Sequence, residues 1–492
     1  MDISREQALA LWAASDGARN TMRKRADYYE GSHDILKKSG PDAEYADGTP
    51  KSKVVTNWIA YVVNRYLGAI SQIQVSLQDS DNQEALQPAL DEYRNIVEDQ
   101  NLEATDNTNI LNALCQSYGV EVHSFDAKSK RIIINSYEPR EWLFVYDSSG
   151  DTQAAIRSVT LQKNTAHEGE FLADDYTVLT VYTATEITEH MKAKGSSEWM
   201  APRVTRHFYG RVPVIEWWTG GSVVSAALIT QNDEYNEVDS MAGDAIEREI
   251  DSLLITKGIS PEWLRENIQL VKELRVLPLD ETGDAKILAR TADGQRFVDT
   301  LKRTRGQIHM MGEVPDVGGI VGASGATSGI ALKLMFTPMQ ERVEAMIPHL
   351  RQCVKERIEL MNAIWKRTGG VLLDDYEITI QFRMPVNHIE EWQNIGALDG
   401  TVSHRTRLNL LTDITDAEAE LQNIENERGV APLRGEPADA AAAINERAAQ
   451  VEANAAALVP SVGELVASLS DAVTEYMIKS GALEKEMKAA SN

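Results

Sequence analysis

NDEYNEVDSMAGDAIEREIDSLLI, residues 232–255, decides the reading of the fold. Val238, Ala242, Ala245, Ile246 and Leu253 recur by threes and fours, which predicts one helix that stops before Lys257 and Gly258. At the helical period Asp233, Glu237, Asp244, Glu247 and Asp251 gather on nearly the opposite face. The expectation is a helix that packs its apolar stripe and turns a line of carboxylates outward, with a plain solvated face as the bland alternative. Further along, RFVDTLKRTRGQIHMMG (296–312) is again helical but basic, carrying Arg296, Lys302, Arg303 and Arg305 against Asp299. It is an electrostatic complement for the acidic helix. Between the two lies a mixed segment, 259–295, with a Ser-Pro start, a strand-like VKELRVLPL and Gly-Asp turn chemistry.

Outward from this pair, 4–29 is helical by its apolar spacing, and KSKVVTNWIAYVVNRYLGAI (51–70) repeats the pattern with a wider apolar face. Between about Val120 and Trp218 the period shifts to two. RIIINSY, EWLFVYD, AAIRSVTLQ, DYTVLTVYTA and VPVIEWW are β-branched or aromatic runs separated by turn signals, so an antiparallel β-rich unit sits between helical regions. After residue 312 comes GGIVGASGATSGIALK (318–333), then a long helical pattern to Arg367. Pro338 and Pro348 each remove a backbone donor from it and are expected to kink the axis. DYEITIQFRMP (375–385) is a late strand whose partners are expected in the earlier β-region. The remainder is helical, with a capping box at Thr415 and Glu418 and an Ala-rich composition after Pro437. The fold class is α+β, mainly helical.

A chain of 492 residues exceeds the size at which one core stops growing, so two to four packed units are expected. Its 75 acids against 49 bases give a formal charge of -26, the wrong sign for a protein that clings to nucleic acid by neutralising phosphates. Two cysteines far apart, Cys115 and Cys353, suggest neither a disulfide framework nor a thiolate zinc site, and a reducing cytoplasmic origin fits. No basic leader opens the sequence, and no apolar run reaches the roughly 18 residues a membrane helix needs, so neither export nor a membrane partner is expected.

The Gly-rich stretch invites a phosphate reading, which its spacing defeats. A P-loop places lysine directly after the glycine, whereas Ile330 follows Gly329 and Lys333 lies a turn later. The dinucleotide fingerprint fails for want of G-x-G, and Ser324 and Ser328 miss the G-x-S-x-G elbow. The nine histidines form no H-E-x-x-H pair, and DETGDAK and DSSGDT lack calcium-loop spacing. No catalytic, cofactor or metal site is expected. A nucleotide-dependent enzyme using the Gly-rich loop is the competing class, and a different capsid or tail-completion protein is a second alternative.

Several stretches resemble the portal proteins of tailed double-stranded DNA bacteriophages with long non-contractile tails. RADYYEGSHDI followed by KVVTNWIAYVVNRYLG resembles that family's N-terminal pattern, and EPREWLFVYDSSGDTQAAIRSV its β-domain. ITQNDEYNEVDSMAGDAIE resembles the approach to its first stem helix, with Tyr235, Asn236 and Ser240 at matching places. SGIALK and TVSHRTRLNLLTDITDAEAELQNIENER are similar to the family's motifs after the tunnel loop and in its late helices.

The resemblance implies a homo-oligomeric, dodecameric ring at one capsid vertex, a virion protein assembled in the host cytoplasm. It implies a wing over 1–232 with a returning strand at 369–388, stem helices at 233–255 and 296–314, and a clip at 256–295. A tunnel loop at 315–328, a long kinked helix at 329–368, a crown at 389–470 and a tail at 471–492 complete it. Gly318, Gly319, Ile320, Val321, Gly322, Ser324, Gly325, Thr327 and Ser328 would touch DNA or a neighbouring loop. Asp233, Glu237, Asp244, Glu247 and Asp251 would face the tunnel, and Arg296, Lys302, Arg303 and Arg305 would pair with a neighbouring subunit. The implied partners are double-stranded DNA, terminase, major capsid and scaffolding proteins, and head-completion or tail adaptor proteins.

Overall fold

Ser4 opens the first helix with a reciprocal cap: its Oγ accepts the Gln7 N–H at 3.2 Å, and the Gln7 side chain accepts the Ser4 N–H at 2.9 Å. The helical pattern from there to Tyr29 is two helices, α1 (Arg5–Ala14) and α2 (Asp16–Tyr29), separated at Ser15. The computed structural model describes residues 3–45, 48–78, 83–167, 170–250, 253–257, 265–266, 284–288, 294–316, 329–383, 403–409, 420–421 and 424. The chain forms two units, 1–384 and 385–492. The described part of the second includes a short helix at His404–Asn409, and the Ala-rich tail lies outside the described residues.

In the first unit a short helix α3 (Asp34–Lys37) precedes α4 (Trp58–Ala69), whose N-cap is Asn57. Residues 51–57, expected to belong to that helix, are extended instead. Two helices follow in a stretch that carries no clear periodic signal, α5 (Gln83–Asp99) and α6 (Leu102–Gln116). Then comes the β-rich unit, as expected, in two antiparallel sheets and a small antiparallel ribbon of β6 (Ala166–His167) and β7 (Glu170–Phe171). One has the order β11-β2-β3, from Val214–Trp218, Tyr118–Asp126 and Arg131–Tyr137. The other runs β10-β9-β8-β5-β4, from Arg203–Arg206, Glu186–Ala193, Tyr176–Tyr182, Thr152–Leu161 and Trp142–Tyr146.

Helix α6 lies so close to β2 that a Cβ on Gly119 would stand 2.3 Å from the Asn109 carbonyl oxygen. Only glycine fits there. The late strand β14 (Tyr376–Thr379) does not join the β-rich unit; it pairs antiparallel with β1 (Gln74–Leu77), just past α4. Five β-branched or aromatic residues within 375–385 sufficed to predict a strand, but the choice of partner is a long-range matter that composition does not carry.

The remaining helices are α7 (Ala226–Ile250), α8 (Gly294–Met311) and α9 (Gly329–Thr368). Helix α7 stops before the expected residue 255, because Leu253–Lys257 is a strand, β12, pairing with β13 (Asp284–Leu288). Leu253, expected on the helical stripe, is the first residue of that ribbon. Helix α9 is continuous through both prolines. The main core gathers Tyr28, Ile59, Val62, Tyr66, Leu114, Trp217, Leu228, Ile308, Leu350 and Ile358, so α2, α4, α6 to α9 and β11 share one interior.

Candidate functional site

Helices α7 and α8 pack side by side, and the face α7 buries is not the apolar one. Leu228 is buried at its start, but further along the buried positions are Asn232, Asn236, Ser240 and Asp244, while Met241 and Ile246 are 48% and 63% exposed. The fully buried positions along this helix are thus mainly polar, while Val238, Ala242 and Ala245 of the expected stripe are half-buried and Ile246 is exposed. The reason lies in the extended segment before α4. Its alternate backbone N–H groups meet the polar stripe in antiparallel order: Ser52 donates to Asp244 Oδ1 at 3.1 Å and Val54 to Ser240 Oγ at 2.9 Å. Thr56 donates to Asn236 Oδ1 at 2.9 Å and Trp58 to Asn232 Oδ1 at 3.1 Å.

The two repeats are commensurate. Two residues of extended chain advance about 6.6 Å, and four residues of helix about 6.0 Å. One helix face therefore serves as a strand edge over four rungs. Asn232 also returns a bond, its Nδ2 donating to the Thr56 carbonyl at 2.9 Å, and Ser240 Oγ donates to the Asn236 carbonyl at 2.7 Å. Backbone donors partly withdrawn from water are costly to leave unpaired, and this stripe satisfies four of them.

Beside the ladder, the fully buried His33 stacks on Tyr28 with ring centroids 4.5 Å apart. Its Nε2 lies 3.0 Å from the Tyr28 carbonyl and its Nδ1 lies 2.9 Å from Asn236 Nδ2. The Tyr28 hydroxyl donates to Asp233, 2.8 and 2.9 Å from its two oxygens. Burial holds the His33 pKa below the ordinary histidine value, against the pull of the Tyr28 carbonyl and of Asp233.

The expected acidic face therefore divides. Asp233 binds Tyr28, and Asp244 is buried against the Ser52 amide and the Tyr45 hydroxyl at 2.7 Å. Glu237 is exposed and pairs with Lys38 at 3.1 Å. The Glu247 side chain and Asp251 lie outside the described residues.

Of the basic set, Arg303 pairs with Glu234 of α7 at 2.8 Å, which makes it the complement within one chain. Arg305 pairs with Asp316 at 2.6 Å, and its guanidinium lies 5.8 Å from the Trp58 ring centre. Arg296 and Lys302 are exposed. The nine loop residues from Gly318 to Ser328 lie outside the described residues. The chain leading to them is well held: Tyr66 Oη donates to the Gly312 carbonyl at 3.1 Å, and His309 Nδ1 lies 3.3 Å from the Val314 carbonyl.

A second polar centre escaped the sequence reading altogether. Arg357 of α9 is fully buried and binds Asp106 of α6 and Glu121 of β2, with Nε to Glu121 Oε1 at 2.9 Å and Nη2 to Oε2 at 2.6 Å. Glu121 also accepts from Trp217 Nε1 at 3.0 Å and Asn109 Nδ2 at 3.2 Å, and its Oε1 lies 2.8 Å from His123 Nε2. Burial opposes charge on Glu121, but Arg357 and His123 outweigh it and hold its pKa down at about 2. The centre ties α9 to the β-rich unit.

For the ladder a signal did exist: Asn, Asn, Ser and Asp at intervals of four inside a helix are poor helix formers, which makes a regular stripe of them unlike a solvated face. For the ion network there was none, since its members are scattered from residue 106 to residue 357. Among the described residues no cluster of His, Cys, Asp and Glu side chains is placed to hold a metal, and no helix is long and apolar enough to cross a membrane.

The family model described as phage portal protein, SPP1 Gp6-like, matches residues 10–431. The chain belongs to that family. The match takes in every element of the portal chain from α2 to α9, including α7, α8 and the Gly-rich segment. No curated protein matches it. Among solved structures, the portal chain is similar to the neck of an empty GTA particle computed with C6 symmetry, at 15% identity over 72% of this chain and 90% of that one, with a TM-score of 0.43. It is also similar to the virion of a native gene transfer agent particle, at 13% identity over 72% and 89% with a TM-score of 0.39. A third is the neck of the native GTA particle computed with C12 symmetry, at 14% identity over 72% and 89%, again with a TM-score of 0.39.

Proposed function

We propose that the chain assembles into a dodecameric ring at one capsid vertex and forms the conduit through which double-stranded DNA is packaged and ejected. The observation that carries this is the family match over residues 10–431. In this reading the β-rich unit with the N-terminal helices is the wing, α7 and α8 are the stem, and the β12–β13 ribbon belongs to the clip, where a separate terminase ATPase docks. Residues 315–328 are the tunnel loop, and the C-terminal helices after residue 389 form the crown. Capsid and scaffolding proteins meet the ring from the head side, and adaptors meet it from the tail side.

The charge of -26 supports a conduit role, because DNA must slide and phosphate-binding lysines would hold it back. With Asp233 and Asp244 engaged inside the chain, the acids assigned to the tunnel face are Glu237, Glu247 and Asp251. Lys302, exposed on α8, is the basic group assigned to a neighbouring stem. Negative-stain images of the purified chain test the reading: rings with a central channel are expected, and a population of monomers or filaments alone overturns it.

A further inference from the structure

We propose that His33 is a proton-sensitive lock on the ladder that joins α7 to residues 52–58. The case rests on which atom each partner is able to offer. The Thr56 amide only donates, so the Asn236 atom 2.9 Å from it is the carbonyl Oδ1, and the amide Nδ2 is turned to His33. Nδ2 also only donates, so His33 Nδ1 must accept and carries no proton. The proton of the neutral ring then sits on Nε2 and is donated to the Tyr28 carbonyl 3.0 Å away. One tautomer, the neutral one, satisfies all three groups.

A second proton has one place to go, Nδ1, where it would oppose the Asn236 N–H. Turning the Asn236 amide over would satisfy the imidazolium but would set Nδ2 against the Thr56 N–H. Either way Asn236 loses one of its two bonds, to His33 or to the Thr56 rung. Because the ring is fully buried and flanked by the Tyr28 face, water does not relieve the conflict. The charged groups around it are Asp233 of α7 and its own neighbour Asp34, which Lys24 of α2 engages at 3.0 Å. Burial prevails over the Tyr28 carbonyl, Asp233, the Asn57 side chain and Asp34, all of which favour the proton, and Tyr28 stands between His33 and Asp233.

The sign follows. A histidine whose folded pKa is lowered leaves stability intact above its unfolded pKa of about 6.5 and removes it as pH falls below that value. The lock is shut at neutral pH and opens with acid, releasing the segment from the middle of α7 outward.

The test is hydrogen exchange of the full chain from pH 8 to pH 5, corrected for the intrinsic pH dependence of exchange. Protection of the 52–58 amides is expected to fall, approaching tenfold per pH unit below about 6.5, while the interior of α9 keeps its protection. Asn236→Asp keeps an acceptor for Thr56 and offers a second one to a protonated Nδ1, so its ladder is expected to hold or tighten over the same range. Constant protection in the wild type, or a parallel loss in Asn236→Asp, would overturn the proposal. Histidine nitrogen NMR of the wild type gives an independent reading: the Nε2–H tautomer is expected for His33, and an Nδ1–H tautomer at neutral pH would overturn it even if the variant does not fold.

Discussion

Two polar assemblies hold this chain together, and they differ in kind. The centre around Arg357 is ionic, buried, and built from residues on α6, β2, β11 and α9. The ladder on α7 is a repeat of side chain to backbone bonds, and only its last rung, Asp244, is charged by type. An ionic centre has no spare member: removing one partner leaves the others charged and dry. A ladder loses one rung at a time. The first suits a fixed joint, and the second suits a seam that opens by degrees.

The largest effect expected from that contrast is at Arg357. Arg357→Ala strands the carboxylates of Asp106 and Glu121 and should cost about 3–5 kcal/mol, read as a shifted denaturant midpoint of the chain. Adding Asp106→Asn should recover part of that loss, since coupled sites do not add. A simple sum of the two single effects would erase the distinction between the assemblies.

On the ladder, Ser240→Ala and Asn232→Ala should cost about 1 kcal/mol each and combine additively, because rungs eight residues apart stand about 12 Å from each other along the helix. Strong coupling between them would make the ladder a single unit like the ionic centre. The smallest effect belongs to Arg303→Ala, whose exposed pair with Glu234 should be worth less than about 1 kcal/mol and should fade in salt. A larger loss, appearing only with assembly, would place Arg303 between subunits.

Acid separates the two assemblies further. Glu121, held at a pKa of about 2, keeps its contribution above the ordinary carboxylate range and loses it only as pH falls toward that value. The ladder beside His33 responds already below about 6.5. Between these windows the Glu121–Arg357 bond persists while the seam loosens, and Asp106, whose pKa burial raises, takes up a proton ahead of Glu121.

What could be read from the chain alone was local. The helical periods read over 232–255, 296–312 and 329–367, which the structure keeps for 232–250, 296–311 and 329–367, the alternation of the β-rich unit and the turn chemistry between its strands all follow from spacing, because each depends on neighbours a few residues away. The failure of Gly329 and Lys333 to make a phosphate loop was equally plain in the sequence. Burial was not legible. Val238 and Ile246 announced a packing face on α7, yet the fully buried positions are Asn236 and Ser240 on another side of the helix, because the backbone of residues 52–58 had to be hydrogen-bonded by something. Likewise β14 announced itself as a strand but not as the partner of β1, and Arg357 gave no sign of meeting Asp106 and Glu121. Sequence determines what each segment prefers by itself; the tertiary structure decides which polar groups are dehydrated together, and that sets which face is inside.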